Sequence, residues 1–174
     1  MAGLTGDITK IEVGAHVVKF GASGSEVNLG FTTKGSEITY TPEYVDIMVD
    51  QLGNTVVDKR LSGEQVRVTL NLMEVDTDQL LRVMPAASAA ATGMDVGRRA
   101  GYSIAQGASG VLILHPVELA DADKTRDWTI PIAVVASPVT IPNKVDEATT
   151  LPIEFQAIAN PSADNPKHLL RYGY

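Results

Sequence analysis

The residues of this 174-residue chain best suited to covalent chemistry are Ser109 and three histidines, His16, His115 and His168. Ser109 lies in Gly107-Ala108-Ser109-Gly110-Val111, which has the outline of a nucleophile elbow, a sharp turn that lifts a serine hydroxyl above a sheet. The elbow needs glycine two residues after the serine, and position 111 is valine. The base would have to be one of the histidines, and each stands isolated in the sequence. A triad is a matter of geometry, which spacing alone does not decide. For His115, inside an apolar run beside Pro116, a hydrogen-bonded structural role is the simpler reading. A second candidate is Asp121-Ala122-Asp123-Lys124-Thr125-Arg126-Asp127, with oxygen donors at alternate positions as at the start of a calcium loop. Arg126 replaces the turn glycine, Ile132 stands where the bidentate glutamate belongs, and Lys124 and Arg126 would oppose a cation. A solvated hairpin turn is expected there. The histidines lack zinc spacing, and neither a Walker lysine nor a Gly-x-Gly-x-x-Gly loop is present. With no cysteine, thiolate nucleophiles, disulfides and cysteine zinc sites are excluded. The expectation is a non-enzymatic protein with no catalytic residue, no metal ligand and no cofactor.

Composition points the same way. Hydrophobic residues make up 44% and charged residues 20%, as in an ordinary globular domain, and the length suits a single domain over residues 1–174. No apolar run is long enough to span a membrane as a helix, so no membrane anchor is expected. Met1 to Asp7 has neither a basic start nor an apolar stretch, so the sequence reads as made in a cytoplasm. Against 21 acidic residues there are 14 basic ones, a net charge of -7. Proteins that grip nucleic acid do so by neutralising phosphates with lysine and arginine. Contact with DNA, if made, should be non-adhesive.

The elements that would position these residues are mostly strands. In Gln65 to Leu72 every even position is apolar and every odd one polar, the pattern of a strand buried on one face. Val27 to Thr32 repeats it, Ala15 to Phe20 is a weaker example, and Val111 to Val117 reads as more deeply buried. Trp128, Ile130, Ile132 and Val134 alternate with polar or small residues, as do Leu151, Ile153, Phe155 and Ala157, and these runs could pair through Pro142 to Glu147. Prolines 131, 138, 142 and 152 place edges or bulges there. Asp76-Thr77-Asp78-Gln79 resembles a capping box opening a helix with an apolar face at Leu80, Leu81 and Met84, stopped by Pro85. Residues 86–110, rich in glycine and alanine, read as a long connection, with a short helix over Ala86 to Ala91 as the alternative. Gly-Ala-Ser-Gly occurs at Gly21 to Gly24 and again at Gly107 to Gly110, a turn solution used twice. Arg98-Arg99 reads as solvated or as a contact for an acidic partner, and Tyr172-Gly173-Tyr174 as a frayed terminus or a docking tail. Many short strands with one helix give a mainly β fold: a β-sandwich or partial barrel with one flanking α-helix and a long protruding loop.

That loop is residues 41–61. Between a strand ending near Tyr40 and another starting near Gly63 lie about twenty residues, more than compact domains use for a connection. The segment is dense in Tyr, Val, Ile, Met and Leu. Exposed apolar surface of that kind marks an interaction site. The alternative is a hairpin turning at Leu52-Gly53-Asn54, and the two agree if the hairpin projects beyond the domain.

Tyr40-Thr41-Pro42-Glu43-Tyr44 followed by Val49-Asp50-Gln51-Leu52-Gly53-Asn54-Thr55-Val56-Val57-Asp58 resembles the major tail tube proteins of long-tailed, siphovirus-type bacteriophages. In that family a strand leads into a long loop, then an alternating strand and a short capped helix, an order that residues 27–84 reproduce. The resemblance implies stacked hexameric rings forming a hollow tube, with residues 41–61 reaching into the neighbouring ring. Tyr44, Ile47, Val49, Leu52, Val56 and Val57 would bury area there, and Asp46 and Asp50 with Lys59 and Arg60 would fix register. It implies that Glu37, Thr39, Gln65, Arg67, Thr69 and Asn71 line the lumen, where Arg67 needs an acidic neighbour if DNA is to slide without sticking. The partners implied are further copies of the chain, a tape-measure protein, tube-end proteins and passing double-stranded DNA. The place implied is the virion tail, after assembly in the host cytoplasm. A secretion-system-type tube, a tail-terminator ring and a β-sandwich binding module are the alternatives.

Overall fold

The structure, a computed structural model, describes residues 14–98, 100–142, 148–159 and 168–173. Met1 to Asp7, Arg99, residues 143–147 and Tyr174, each read above from sequence, lie outside the described residues. Strands β1 (His16–Gly21), β2 (Val27–Asn28), β3 (Thr32–Met48) and β4 (Val56–Leu72) are followed by helix α1 (Thr77–Val83). A small hairpin of β5 (Ala87–Ala90) and β6 (Gly93–Val96) and a single helical turn, α2 (Ile104–Gly107), come next. Strands β7 (Gly110–Pro116), β8 (Trp128–Val135), β9 (Leu151–Ala157) and β10 (Arg171–Tyr172) complete the order. Apart from β5 and β6 the strands form one antiparallel sheet in the order β2-β1-β7-β8-β9-β4-β3, with β10 added beside β8.

The alternating residues predicted to face inward make the core. Val66, Val68, Leu70 and Leu72 of β4 and Leu151, Ile153, Phe155 and Ala157 of β9 are all buried, against Val18 and Phe20 of β1 and Leu112 and Leu114 of β7. In the sheet, β7 and β8 separate β1 from β9, yet the rings of Phe20 and Phe155 meet with centroids 4.9 Å apart. The sheet is therefore curled into a partial barrel around its own apolar face, which also brings β1 towards β3. Full burial of each large side chain contributes roughly 1.5–3 kcal/mol, so the stability of the body resides on that face.

Helix α1 begins as the sequence predicts. The Asp76 carboxylate accepts the Gln79 N–H at 2.7 Å, satisfying one of the donors that a helix start leaves without a partner. Gln79 does not return the bond, however. Its amide reaches the Asn28 carbonyl at 3.4 Å, and Gln79 and Val83 are the buried residues of the helix, with Leu80 packed on the core beside them.

Two alternating runs depart from the predicted phase. In β8, Ile130 and Val134 are buried as the alternation predicts, but past Pro131 the alternation is lost: Ala133 and Val135 are buried as well, and Ile132 only partly so. Leu112 faces Ile130 while Gly110 faces Ala133, so β8 carries one residue more than β7 across that step. This is a bulge at a proline, which has no N–H to offer a ladder. Between Val27 and Thr32 the strand breaks after Asn28: Leu29 is buried but Val27 and Phe31 are exposed. Residues 86–110 hold the β5–β6 hairpin and α2, in place of a bare connection or a helix over Ala86 to Ala91.

The two Gly-Ala-Ser-Gly tetrads meet in space, because Gly21 at the end of β1 lies opposite Val111, the second residue of β7. A methyl group on Gly110 would lie 2.6 Å from the Gly21 carbonyl oxygen and 3.0 Å from its carbon. Both are backbone atoms, so the strands themselves would have to part. Gly110→Ala is expected to cost about 1–3 kcal/mol, as overpacking of a tight contact does. Urea unfolding measures this, and a midpoint equal to that of the unaltered chain would contradict the close approach.

Candidate functional site: a projecting β-arm and a polar sheet face

The segment 41–61 is not a loop. β3 and β4 stay paired from Thr32 opposite Leu72 to Met48 opposite Val56, each strand 17 residues long. Only the first part of that ribbon belongs to the body, since β9 pairs β4 from Arg67 to Leu72. Beyond it the two strands satisfy each other's backbone groups and continue as an arm. A 3₁₀ turn over Asp50–Leu52 closes the end, with the Leu52 N–H on the Val49 carbonyl at 3.0 Å and the Gly53 N–H on that of Asp50 at 3.3 Å. Ser62 and Val57 have no residue directly opposite them in β3, and these bulges change the phase of β4.

Register places the side chains on the arm. Tyr44 and Leu61 face one another, as do Asp46 and Lys59, Val45 and Arg60, Ile47 and Asp58, and Met48 and Val56. The Lys59 ammonium meets the Asp46 carboxylate at 3.0 Å, and the Arg60 guanidinium meets Asp58 at 3.5 Å. These charges thus hold the arm to itself; such exposed pairs are worth at most about 1 kcal/mol each. The apolar side chains have no cover: Tyr44 and Leu52 are both 57% exposed. Val49, Val56 and Val57 are also exposed and Ile47 is half-buried. Three exposed residues absent from the sequence-derived set, Val45, Met48 and Leu61, belong to the same surface. Their signal was present in the apolar density of the segment, and register was the missing part.

The second feature is the polar face of the β3–β4–β9 sheet. Glu37 lies opposite Thr69, Thr39 opposite Arg67, and Thr33 opposite Asn71, while on the other side of β4 Arg67 faces Gln156 and Thr69 faces Glu154. The Arg67 guanidinium donates to Glu154 Oε1 at 2.7 Å and reaches Gln65 Oε1 at 3.5 Å. Gln65 in turn donates to Glu43 at 3.4 Å. The acidic neighbour Arg67 requires is therefore Glu154, which sequence shows only as a polar position of the β9 alternation. Among the described residues paired across this face, Glu37, Glu43 and Glu154 accompany Arg67. At the root of the arm the Tyr40 hydroxyl donates to Glu64 at 2.7 Å, and that bond holds the phenol above its ordinary pKa.

The remaining candidates are tied into local structure. Ser109 donates to the Ala105 carbonyl at 2.6 Å, across the turn of α2. His115 Nδ1 and Asp127 Oδ1 lie 2.6 Å apart, both side chains buried, so Asp127 turns inward from the 121–127 segment. Asp123 accepts from the backbone N–H and the hydroxyl of Thr125, and these bonds hold its carboxyl below the usual range. Arg98 stacks 5.3 Å over the Tyr102 ring and donates to the Ala87 carbonyl at 3.1 Å. Tyr172 is not frayed: it pairs with β8 and packs on Trp128 at 4.4 Å.

No protein-family model and no curated protein matches the sequence. Among solved structures the chain is similar to one from the tail of an empty gene transfer agent particle with C6 symmetry. The TM-score is 0.52 at 12% identity, over 91% of this chain and 96% of that one. A chain from the virion of a native gene transfer agent particle aligns over 91% and 95% of the two chains, at 10% identity and a TM-score of 0.49. At such identities the first likeness establishes the fold: this chain is built as that tail chain is.

No core residue lies in the arm, the nearest in β4 being Val66. Glu43 and Gly63 face one another at its root. Replacing residues 44–62 by an Asn-Gly turn, which joins antiparallel strands directly, is expected to leave the body folded. Its melting temperature should stay within about 4 °C of the unaltered chain, a change of at most about 1 kcal/mol. Unfolding of the variant would place the arm in the core.

Proposed function

We propose that this chain is a structural, non-catalytic subunit of a virion tail, a major tail tube protein of the siphovirus type. Its copies form hexameric rings that stack head to tail into a hollow tube, and double-stranded DNA passes through that tube. The observation that carries this reading is the arm, a pre-paired ribbon that leaves the body and displays apolar side chains to solvent. A contact between unlike surfaces propagates, whereas a ring contact closes on itself. The fold shared with a chain from a C6-symmetric tail supports the same arrangement. Tyr44, Ile47, Val49, Leu52, Val56 and Val57 supply the buried area between rings in this reading. Tape-measure and tube-end proteins are the further partners.

The polar face of β3, β4 and β9 lines the lumen in this reading, through Glu37, Thr39, Gln65, Arg67, Thr69 and Asn71. A wall on which Glu154 neutralises Arg67 gives phosphates no cation to displace their counterions. DNA would then move past it without adhesion.

Negative-stain electron microscopy of the purified protein is expected to show tubes with six-fold end views. The Asn-Gly variant should give rings or single subunits and no tubes; tubes from that variant would exclude the arm as the stacking element. Double-stranded DNA should not sediment with tubes of the unaltered chain at about 50 mM salt. Glu37→Lys with Glu154→Lys is expected to make it do so. The dependence on log salt should have a slope of about −0.9 for each phosphate neutralised. DNA retention unchanged by these substitutions would remove this face from the lumen.

A further inference from the structure

The β3–β4 ribbon has a second exposed apolar end, opposite the arm tip. One rung beyond Thr32 and Leu72, the Met73 N–H donates to the Phe31 carbonyl at 2.8 Å, so Phe31 and Met73 lie side by side. Phe31 is 75% exposed and Met73 is 42% exposed. The exposure is not slackness. The Phe31 N–H donates to Glu74 Oε1 at 3.2 Å, and the Gly30 N–H donates to Asn28 Oδ1 at 2.9 Å. Gly30 has φ +84°, and a side chain there would run into the Glu74 carboxylate. The backbone on both sides of Phe31 is thus clamped while its ring is presented to solvent. An exposed aromatic on a backbone fixed in this way binds without ordering main chain, leaving only its own side-chain rotamer to immobilise.

We propose that Phe31 and Met73 form the seat for the arm tip of a second copy of this chain, which inserts Val49 and Leu52. This rests on the stacking reading above and names the surface that receives the arm. The occupant follows from length. Seventeen residues at about 3.3 Å each separate seat and tip by roughly 55 Å along one continuously paired ribbon. A copy cannot reach its own seat, so its tip meets the seat of another. Repetition of that contact produces an open, head-to-tail series. Charge favours the same match. Lys34, three residues from Phe31, is exposed on an irregularity of β3 where Thr33 faces Asn71 and Ser36 faces Leu70. Its φ of +63° is one that residues with a side chain rarely hold. At the tip the exposed carboxylate of Asp50 adjoins Val49 and Leu52, and it would meet Lys34.

The test uses Leu52 replaced by photo-reactive p-benzoylphenylalanine in the full chain, irradiated as assembled tubes and digested with trypsin. Cross-links are expected to the peptides Phe20–Lys34 and Val68–Arg82, which carry Phe31 and Met73. Tubes that cross-link only elsewhere would overturn the seat and leave stacking intact. If the unaltered chain makes no tubes at all, the stacking reading itself fails. Phe31→Ser should preserve rings while weakening their association about tenfold or more; tubes as long as those of the unaltered chain would overturn the proposal. Asp50→Lys should shorten tubes and Lys34→Asp added to it should restore them. A double variant no better than Asp50→Lys alone would also count against the seat.

Discussion

Almost everything distinctive here depends on β3 and β4 remaining paired after the body ends. Backbone N–H and C=O groups need partners, and a single extended strand leaving a sheet would have only water. Two strands leaving together carry their ladder with them. An isolated hairpin is marginal in water, but this one is held at its root by the same β4 that pairs with β9 and contributes Val66, Val68, Leu70 and Leu72 to the core. The core thereby fixes the register of the ribbon, and the ribbon carries that register outward to Asp46 opposite Lys59. A slip of one residue would turn Val68 and Leu70 to solvent and bury Arg67 and Thr69. The same alternation thus sets which residues fill the body and which polar groups line its outer face.

That coupling decides what was legible in the sequence. The body of β4, the whole of β9, the start of α1 and the apolar β7 could be read because nothing interrupts their periodicity or their caps. The arm is the projecting hairpin that the sequence offers only as the alternative to a loop, because Val57 and Ser62 are bulged out of the ladder and reset the phase. Leu61 and Arg67 are both odd-numbered, yet one lies beside Tyr44 and the other beside Thr39. Period two fails across such a step, so the segment has the appearance of a long loop. β8 shows the same effect on a smaller scale at Pro131. The helix face lies one position away from the apolar pattern of Leu80, Leu81 and Met84: Val83, with Leu80 beside it, packs on the core, and Gln79 is buried next to them with its amide on the Asn28 carbonyl. Glu154 was visible only as a polar position, because its distance to Arg67 depends on the pairing of strands far apart in sequence.

The difference between an arm and a loop bears directly on assembly. Ordering a flexible segment of about twenty residues on docking would cost roughly 1–2 kcal/mol for each residue, some 20 kcal/mol or more in all. At about 25 cal/mol per Å² of apolar surface, offsetting that would take on the order of 800 Å² of apolar area. That is as much as one partner contributes in a whole standard interface, and far beyond what Val49, Leu52 and a few neighbours supply. A hairpin already ordered by its ladder loses that entropy during folding of the subunit, where the core offsets it. The apolar tip then has only its own side chains to immobilise when it meets another copy. Pre-pairing is what allows a small set of exposed residues to hold a repeating contact, and the Asp46–Lys59 pair, weak as a stabiliser, contributes by keeping that ribbon in a single register.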